Sequence, residues 1–496
     1  MKLSQPGAVP RAFLAVVATL VAVLAAWTGA ASADEVPGAG TDEVPRLSLE
    51  DFLRRAESDN PVMGIARATL ADYAAKFDRA YYAWIPSIKL DAVLAPLPER
   101  RLLRECISGI DPASGLPAVI PCPGQDIEDD EQITADTQIG ILVKSSARVT
   151  FPIYTFGKVE AGQRAARAGL EIGEAGVDIA RSGLAFEVKR AYFGAQLTHG
   201  ALEVLRDGRS RLADVKSTIE KELAKESGRF TSNDLRELVL EEVELAVGML
   251  QTEALQSVAW EALRLAGGFE SRQAFGLDTL ELAPVHVEPR SVDAYIELAS
   301  VSRPDLRAAE AAVRARDSLV DLARAEFLPD VALVGGFGFA KGTTAEDSPD
   351  PFANDNYNYL SWGVVLGAEV SLDFAVLVGK LGEAQAALQK QRAQRDGLRL
   401  KVRLEVVERA AEMERRRQEV DLRELAMRAG KALLVSKTLN FGAGLDTSAE
   451  EVLTALVKYS KARLKYDQTI YEFNLATARL SRTVGVELAV PAPDDE

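Results

Sequence analysis

The residues able to do chemistry are few and scattered. His199 and His286 are the only imidazoles among 496 residues, and neither has the Cys or His–Glu spacing of a metal site. There is no P-loop and no Gly-x-Ser-x-Gly elbow. The carboxylate pairs Glu241-Glu242 and Glu450-Glu451 fall in helix-forming stretches, where adjacent side chains diverge and water is their ordinary partner. The expectation is a protein that is not an enzyme and uses no cofactor and no metal. Cys106 and Cys122, the only cysteines, share one Pro/Gly-rich loop; a local disulfide and two free thiols are both open readings.

A second set of ionisable residues sits at alternate positions of apolar runs. Ile88, Leu90, Ala92 and Leu94 alternate with Ser87, Lys89, Asp91 and Val93. Ile139, Ile141, Val143, Val149 and Phe151 alternate with Gly140, Leu142, Lys144, Ser146, Arg148 and Thr150. Further on, Val331, Leu333, Phe337 and Phe339 oppose Ala332, Val334, Gly336 and Gly338. Trp362, Val364, Leu366, Ala368, Val370 and Leu372 oppose Gly363, Val365, Gly367, Glu369, Ser371 and Asp373. A period of two predicts half-apolar strands, about 86–97, 139–153, 330–340 and 360–374. Roughly ten residues is also what a tilted strand needs to cross a bilayer. Lys89, Asp91, Lys144, Arg148, Glu369 and Asp373 would then face water in a lumen. Tyr81, Tyr82, Trp84, Tyr154, Phe156, Tyr357, Tyr359 and Trp362, near the strand ends, would form interface girdles.

The N-terminus points the same way. Lys2 and Arg11, the apolar run Ala12 to Ala26 and Ala31-Ser32-Ala33 make a secretory signal peptide over 1–33. Cleavage removes two positive charges and no carboxylate, taking the net charge from −16 to −18. So acidic a chain is a poor partner for nucleic acid. No later apolar run has membrane-helix length, so any bilayer crossing must use strands.

The elements that carry these strands are helical. No proline occurs between Pro152 and Pro284, or between Pro351 and Pro491, and both intervals are rich in strong helix formers. They predict long helices at about 158–226 and 380–437, each followed by a break and a second helix, about 234–265 and 448–480. Pro61 and Pro86 stand 25 apart, as do Pro304 and Pro329, and each pair leads through two strands to Gly-Lys at 157–158 or 379–380. The chain reads as a duplicated helix–strand–strand–helix–helix repeat: 34–268, a mixed connector 269–300, then 301–485 and an acidic tail 486–496. The fold class is α+β, mainly α. Four strands cannot close a barrel, and lipid does not tolerate an open edge, so such a chain must associate with copies of itself.

Several motifs resemble those of the TolC-like outer membrane efflux protein family. They are Asn60-Pro61 with Pro86, Val149 to Gly157, Arg303-Pro304-Asp305-Leu306, Leu328-Pro329, and Asn440-Phe441-Gly442-Ala443-Gly444-Leu445-Asp446 leading to Leu453-x-Ala455. Their order covers nearly all of the mature chain. The resemblance implies a homotrimer: a twelve-stranded outer-membrane barrel continuous with a long α-helical periplasmic tunnel, in a Gram-negative bacterium. It implies a periplasmic adaptor protein and an inner-membrane pump of RND or ABC type as partners, in tripartite efflux or type I secretion. The helix–helix breaks would be the periplasmic tip and gate, where adaptors dock: Phe230, Asp234, Asn440, Phe441, Gly442, Gly444, Leu445 and Asp446. The first tip lacks the glycine pair that follows Phe441. Asp446 could ring the entrance and attract cations, or merely precede an S-x-x-E capping box at Ser448 and Glu451. The rival reading is a helical periplasmic scaffold with soluble hairpins. Drugs, metal ions and proteins all remain open as cargo.

Overall fold

The computed structural model describes residues 45–98, 105–110, 117–121, 139–225, 231–270, 273–345, 355–443 and 448–490. The signal-peptide reading, and the last six residues of the tail, lie outside them. The chain divides into two units, residues 1–45 with 274–276, and the rest; everything below concerns the second.

The eight helices that carry the argument are α1 (Leu49–Asp59), α2 (Pro61–Tyr81), α3 (Lys158–Ala224), α4 (Ser232–Ala266), α5 (Val292–Ser302), α6 (Pro304–Ala325), α7 (Phe374–Gly442) and α8 (Ala449–Val484). The four main strands are β1 (Ser87–Pro98), β2 (Ile139–Tyr154), β3 (Asp330–Gly342) and β4 (Tyr359–Glu369). At 67 and 69 residues, α3 and α7 each run about 100 Å at 1.5 Å per residue.

The duplication extends further than its motifs suggested. Ser48 caps α1 and Ser291 caps α5, each side chain accepting a backbone N–H. Both helices have 11 residues and end at the residue before a proline, Asn60 or Arg303. Proline disfavours helical geometry in the residue before it and suits the first position of the next helix. Each half is therefore helix–helix–strand–strand–helix–helix, and α5 begins inside what the sequence offers as a plain connector.

The two junctions share one device. Asn60 caps α2 through its Oδ1, which accepts the Val62 N–H at 2.9 Å. Its amide donates to Leu265 O and Ala266 O, the last carbonyls of α4, at 3.1 and 3.0 Å. Arg303 does the corresponding work before α6, donating to Thr483 O of α8 at 3.3 Å while ion-paired to Asp305 and Glu405. Unsatisfied carbonyls at a helix end need partners, and here the next helix's cap supplies them. In this way the start of α2 meets the end of α4, and the start of α6 the end of α8. Glycines turn the chain at both places, Gly268 at φ +70° and Gly485 at φ +79°.

Packing follows from apolar spacing at three and four. Val402, Val406, Ala410 and Met413 of α7 meet Ile470, Phe473, Ala476 and Leu480 of α8 and Tyr295 and Ala299 of α5 in one core. At the far end Leu212, Val215 and Ile219 of α3 meet Leu238, Phe441, Val452 and Leu453. The end of the chain joins the first core: Leu488 is buried there, and Ala489 and Val490 pair with Val287 and His286.

The sheet is an antiparallel meander in the order β1-β2-β3-β4. Its central pair, β2 with β3, joins the two repeats. Register shifts between Pro152 and Tyr154, where Pro152 has no N–H to give the ladder. Strand β4 ends earlier than its alternation predicts. Glu369 opposes Asp330, the first residue of β3; Pro329 precedes it, so Val370 finds no partner and the helix begins at Phe374. A small hairpin, Glu105–Ile110 against Pro117–Pro121, interrupts what reads as one long loop. Cys106 lies in it and Cys122 lies outside the described residues.

Candidate functional site

Side chains in register on an antiparallel sheet share a face. One row contains Lys89, Arg148, Gly336 and Gly363, and the next contains Asp91, Ser146, Gly338 and Ser361. Lys144, Ala340 and Tyr359 follow, and Asp330 with Glu369 closes the helix-proximal end. The five predicted lumen residues Lys89, Asp91, Lys144, Arg148 and Glu369 thus lie on one face. Asp373 does not: it is the N-cap residue of α7, its carbonyl accepting the Leu377 N–H at 3.0 Å.

The face has local order. Ser146 Oγ donates to Asp91 at 3.4 Å, the Lys144 ammonium lies 5.8 Å from the Tyr359 ring centre, and Lys158 pairs with Asp330 at 2.8 Å. Sequence reasoning passed over Ser146, Ser361 and Gly363 because small neutral residues carry no signal until register places them beside charges.

The opposite face is apolar and open. Leu90 is 68 % exposed, Leu94 75 % and Trp362 81 %, with Ile88, Leu360, Val364 and Leu366 comparably bare. Tyr81 packs on Tyr82 and Tyr154 on Phe156, and Tyr81, Tyr82, Trp84 and Tyr154 are exposed where helix meets strand. Both β1 and β4 present an edge with no strand beside it among the described residues. An exposed apolar surface of this size calls for a partner phase or a partner chain.

At the other end, α3 stops at Ala224 and α4 starts at Ser232. Asp234 is a capping residue: its carboxylate accepts the Thr231 N–H at 2.6 Å and hydroxyl at 3.0 Å, while Thr231 Oγ1 accepts the Asp234 N–H at 3.4 Å. Replacing Asp234 by Ala should cost about 1 kcal/mol, confined to the first turn of α4. Hydrogen exchange should quicken there and stay unchanged in the sheet.

The second tip corrects the sequence reading. Asn440, Phe441 and Gly442 are the last turn of α7, closed by Ala443 N–H on Leu439 O at 2.9 Å. Phe441 is 5 % exposed, held in the tip core instead of offered for docking. Its apolar ring finds Val452 and Leu453 as α8 folds back. Ser448 caps α8 by accepting the Glu451 N–H at 3.2 Å, but Glu451 reaches Lys437 at 2.7 Å instead of closing the box. A matching bridge, Lys216 to Glu242 at 2.8 Å, ties α3 to α4 and raises the lysine pKa through that hydrogen bond. Phe230, Gly444, Leu445 and Asp446 lie outside the described residues.

The outer membrane efflux protein family matches residues 295–486, from within α5 to just past α8. That match falls on the second of the two repeats. No curated protein matches the chain. Its fold is that of several outer-membrane channels. The CmeC outer membrane channel of Campylobacter jejuni superposes with a TM-score of 0.66 at 14 % identity, over 90 % of this chain and 87 % of that one. VceC of Vibrio cholerae gives 0.65 at 17 %, over 89 % and 96 %. The open state of the MtrE outer membrane channel of Neisseria gonorrhoeae gives 0.63 at 15 %, over 89 % of each chain. Identity this low speaks for the fold alone, and that fold spans both repeats of the chain.

Proposed function

We propose that three copies of this chain close a twelve-stranded barrel in the outer membrane of a Gram-negative bacterium, continuous with a periplasmic tunnel. The observation that carries this is the four-stranded sheet with one bare apolar face, one polar face and two edges that are open among the described residues. Lipid would satisfy the first, water the second, and neighbouring subunits the third. The helices fit the same stoichiometry. Each chain supplies four columns (α3, α7, α4 with α2, and α8 with α6), and three chains supply twelve.

The assembly would serve as the exit duct of a tripartite efflux or type I secretion system, taking cargo from an inner-membrane pump of RND or ABC type through a periplasmic adaptor. The tips at 225–232 and 443–448 are the docking and gating ends, with Asp234, Asn440 and Gly442 among their residues and Phe230, Gly444, Leu445 and Asp446 within or beside the breaks. Phe441 would act by holding the tip core together.

Purified from membranes in detergent, the mature protein should have the mass of three chains and give discrete conductance steps in planar bilayers. A monomer extracted by water alone would instead support a helical periplasmic scaffold.

A further inference from the structure

The polar face of the sheet is not evenly charged. Lys89 and Arg148 are direct cross-strand partners, an arrangement that destabilises a strand pair when nothing lies between the two cations. The neighbouring row holds one carboxylate, Asp91, which accepts from the Ser146 hydroxyl at 3.4 Å and offsets one of the two cations. Lys144 adds a third cation two residues beyond that row. The carboxylates Asp330 and Glu369 stand at the helix-proximal end, six residues from the Gly336 row, or about 20 Å along a strand. They are too far to neutralise the pair through water at physiological salt, where screening acts over about 8 Å.

The floor beside the two cations is clear. In register with them, β3 and β4 carry Gly336 and Gly363, and a Cβ built at either would meet nothing within 4 Å. The strands therefore leave a groove of about 520 Å³, lined by Lys89, Asp91, Ser146, Arg148, Gly336 and Gly363 among others. Val334, Phe337, Trp362 and Val365 also line it. A guanidinium offers a planar fork of donors and an ammonium three more, so the groove presents donors and open space to an anion.

We infer that Lys89 and Arg148 form an anion-binding site in the barrel lumen, making this acidic protein's membrane segment prefer anions over cations. The inference rests on the trimeric barrel proposed above. Closure places three such pairs on one ring, six cations against three Asp91 carboxylates. The occupant is a small inorganic anion, chloride or sulfate, or an acidic group on passing cargo, all of which present the same negative oxygen or halide to the donors.

The test is a reversal-potential measurement in planar bilayers across a tenfold potassium chloride gradient. Wild type should pass chloride in preference to potassium, and sulfate added at millimolar concentration should reduce the chloride current. In the double variant Lys89→Gln/Arg148→Gln the chloride-to-potassium permeability ratio should fall about threefold or more, and sulfate block should disappear. A conducting wild type that prefers potassium, whatever the variant does, overturns the inference and leaves the channel standing. Conductance with an unchanged ratio in the double variant does the same. Protein that inserts into bilayers but gives no conductance overturns the channel reading itself, and this inference with it.

Discussion

Proline at Val364 and proline at Val365 should each abolish the assembled trimer. Successive N–H groups along a strand point to opposite sides, so one of these two residues donates towards β3 and the other away from it. Strand β4 lies at the sheet edge, with β3 on one side only. In an isolated four-stranded sheet the outward N–H would have no strand partner to lose, and proline there would be tolerated, as it is on natural edge strands. If the edge instead pairs with β1 of the next subunit, both N–H groups are in use. Each substitution then breaks a ladder bond within lipid, where an unmade backbone bond costs several kcal/mol. Three equivalent seams would carry the loss. The measurement is trimer content on mild gels after membrane extraction, for the two variants side by side. Survival of either variant as a stable trimer at wild-type yield means the edge is free and the barrel is not built this way.

The same strand shows how much the sequence could say about this sheet. Its alternation ran uninterrupted from Trp362 to Asp373, and nothing within that stretch marks Glu369 as the end. The end is decided elsewhere. Pro329 stops β3 at Asp330, and β4 without a partner turns into α7. Asp373 was misplaced for that reason, whereas Lys89, Asp91, Lys144 and Arg148 kept their face because both of their strands run well past them. Phe441 was misread in a related way. A Phe between Asn and Gly looks like a loop residue, and only the return of α8 supplies the apolar neighbours that bury it.

Features with a local cause were legible in full. Proline and glycine punctuate the chain through backbone geometry alone, so the long helices, the four main strands and the duplication came through, whereas α5 and the small hairpin did not. The cap-to-carbonyl junctions did not. Asn60 reads as an ordinary N-cap, and its second role depends on Leu265 and Ala266, some two hundred residues away. Arg303 is chemically unlike Asn60, yet it reaches the same kind of carbonyl, because the geometry of a helix end demands donors without specifying which.

Those junctions give the other large expected effect. Gly485→Ala should destabilise the second repeat far more than an ordinary surface substitution. Gly485 ends α8 at φ +79°, a conformation that costs an L-residue roughly 1–2 kcal/mol. A Cβ there would also lie 2.9 Å from Ser302 O and 3.0 Å from Arg303 Cα. These are backbone atoms at the junction of α5 and α6, held in place by the Arg303 bonds to Thr483, Asp305 and Glu405, so neither side can give way cheaply. Overpacking of this kind adds about 1–3 kcal/mol, for a combined loss of roughly 2–5 kcal/mol. Gly268→Ala is the internal comparison. Its φ is +70°, and the nearest atoms, Asn60 N and Asp59 C, lie at 3.1 and 3.2 Å, so its cost should be smaller though of the same origin. Thermal unfolding of the detergent-solubilised protein, followed by helical circular dichroism, should place Gly485→Ala lowest, Gly268→Ala next and wild type highest. Equal midpoints for Gly485→Ala and wild type would mean that α6 does not rest on the end of α8, and the stacked helical columns that put four of them in each chain would have to be abandoned.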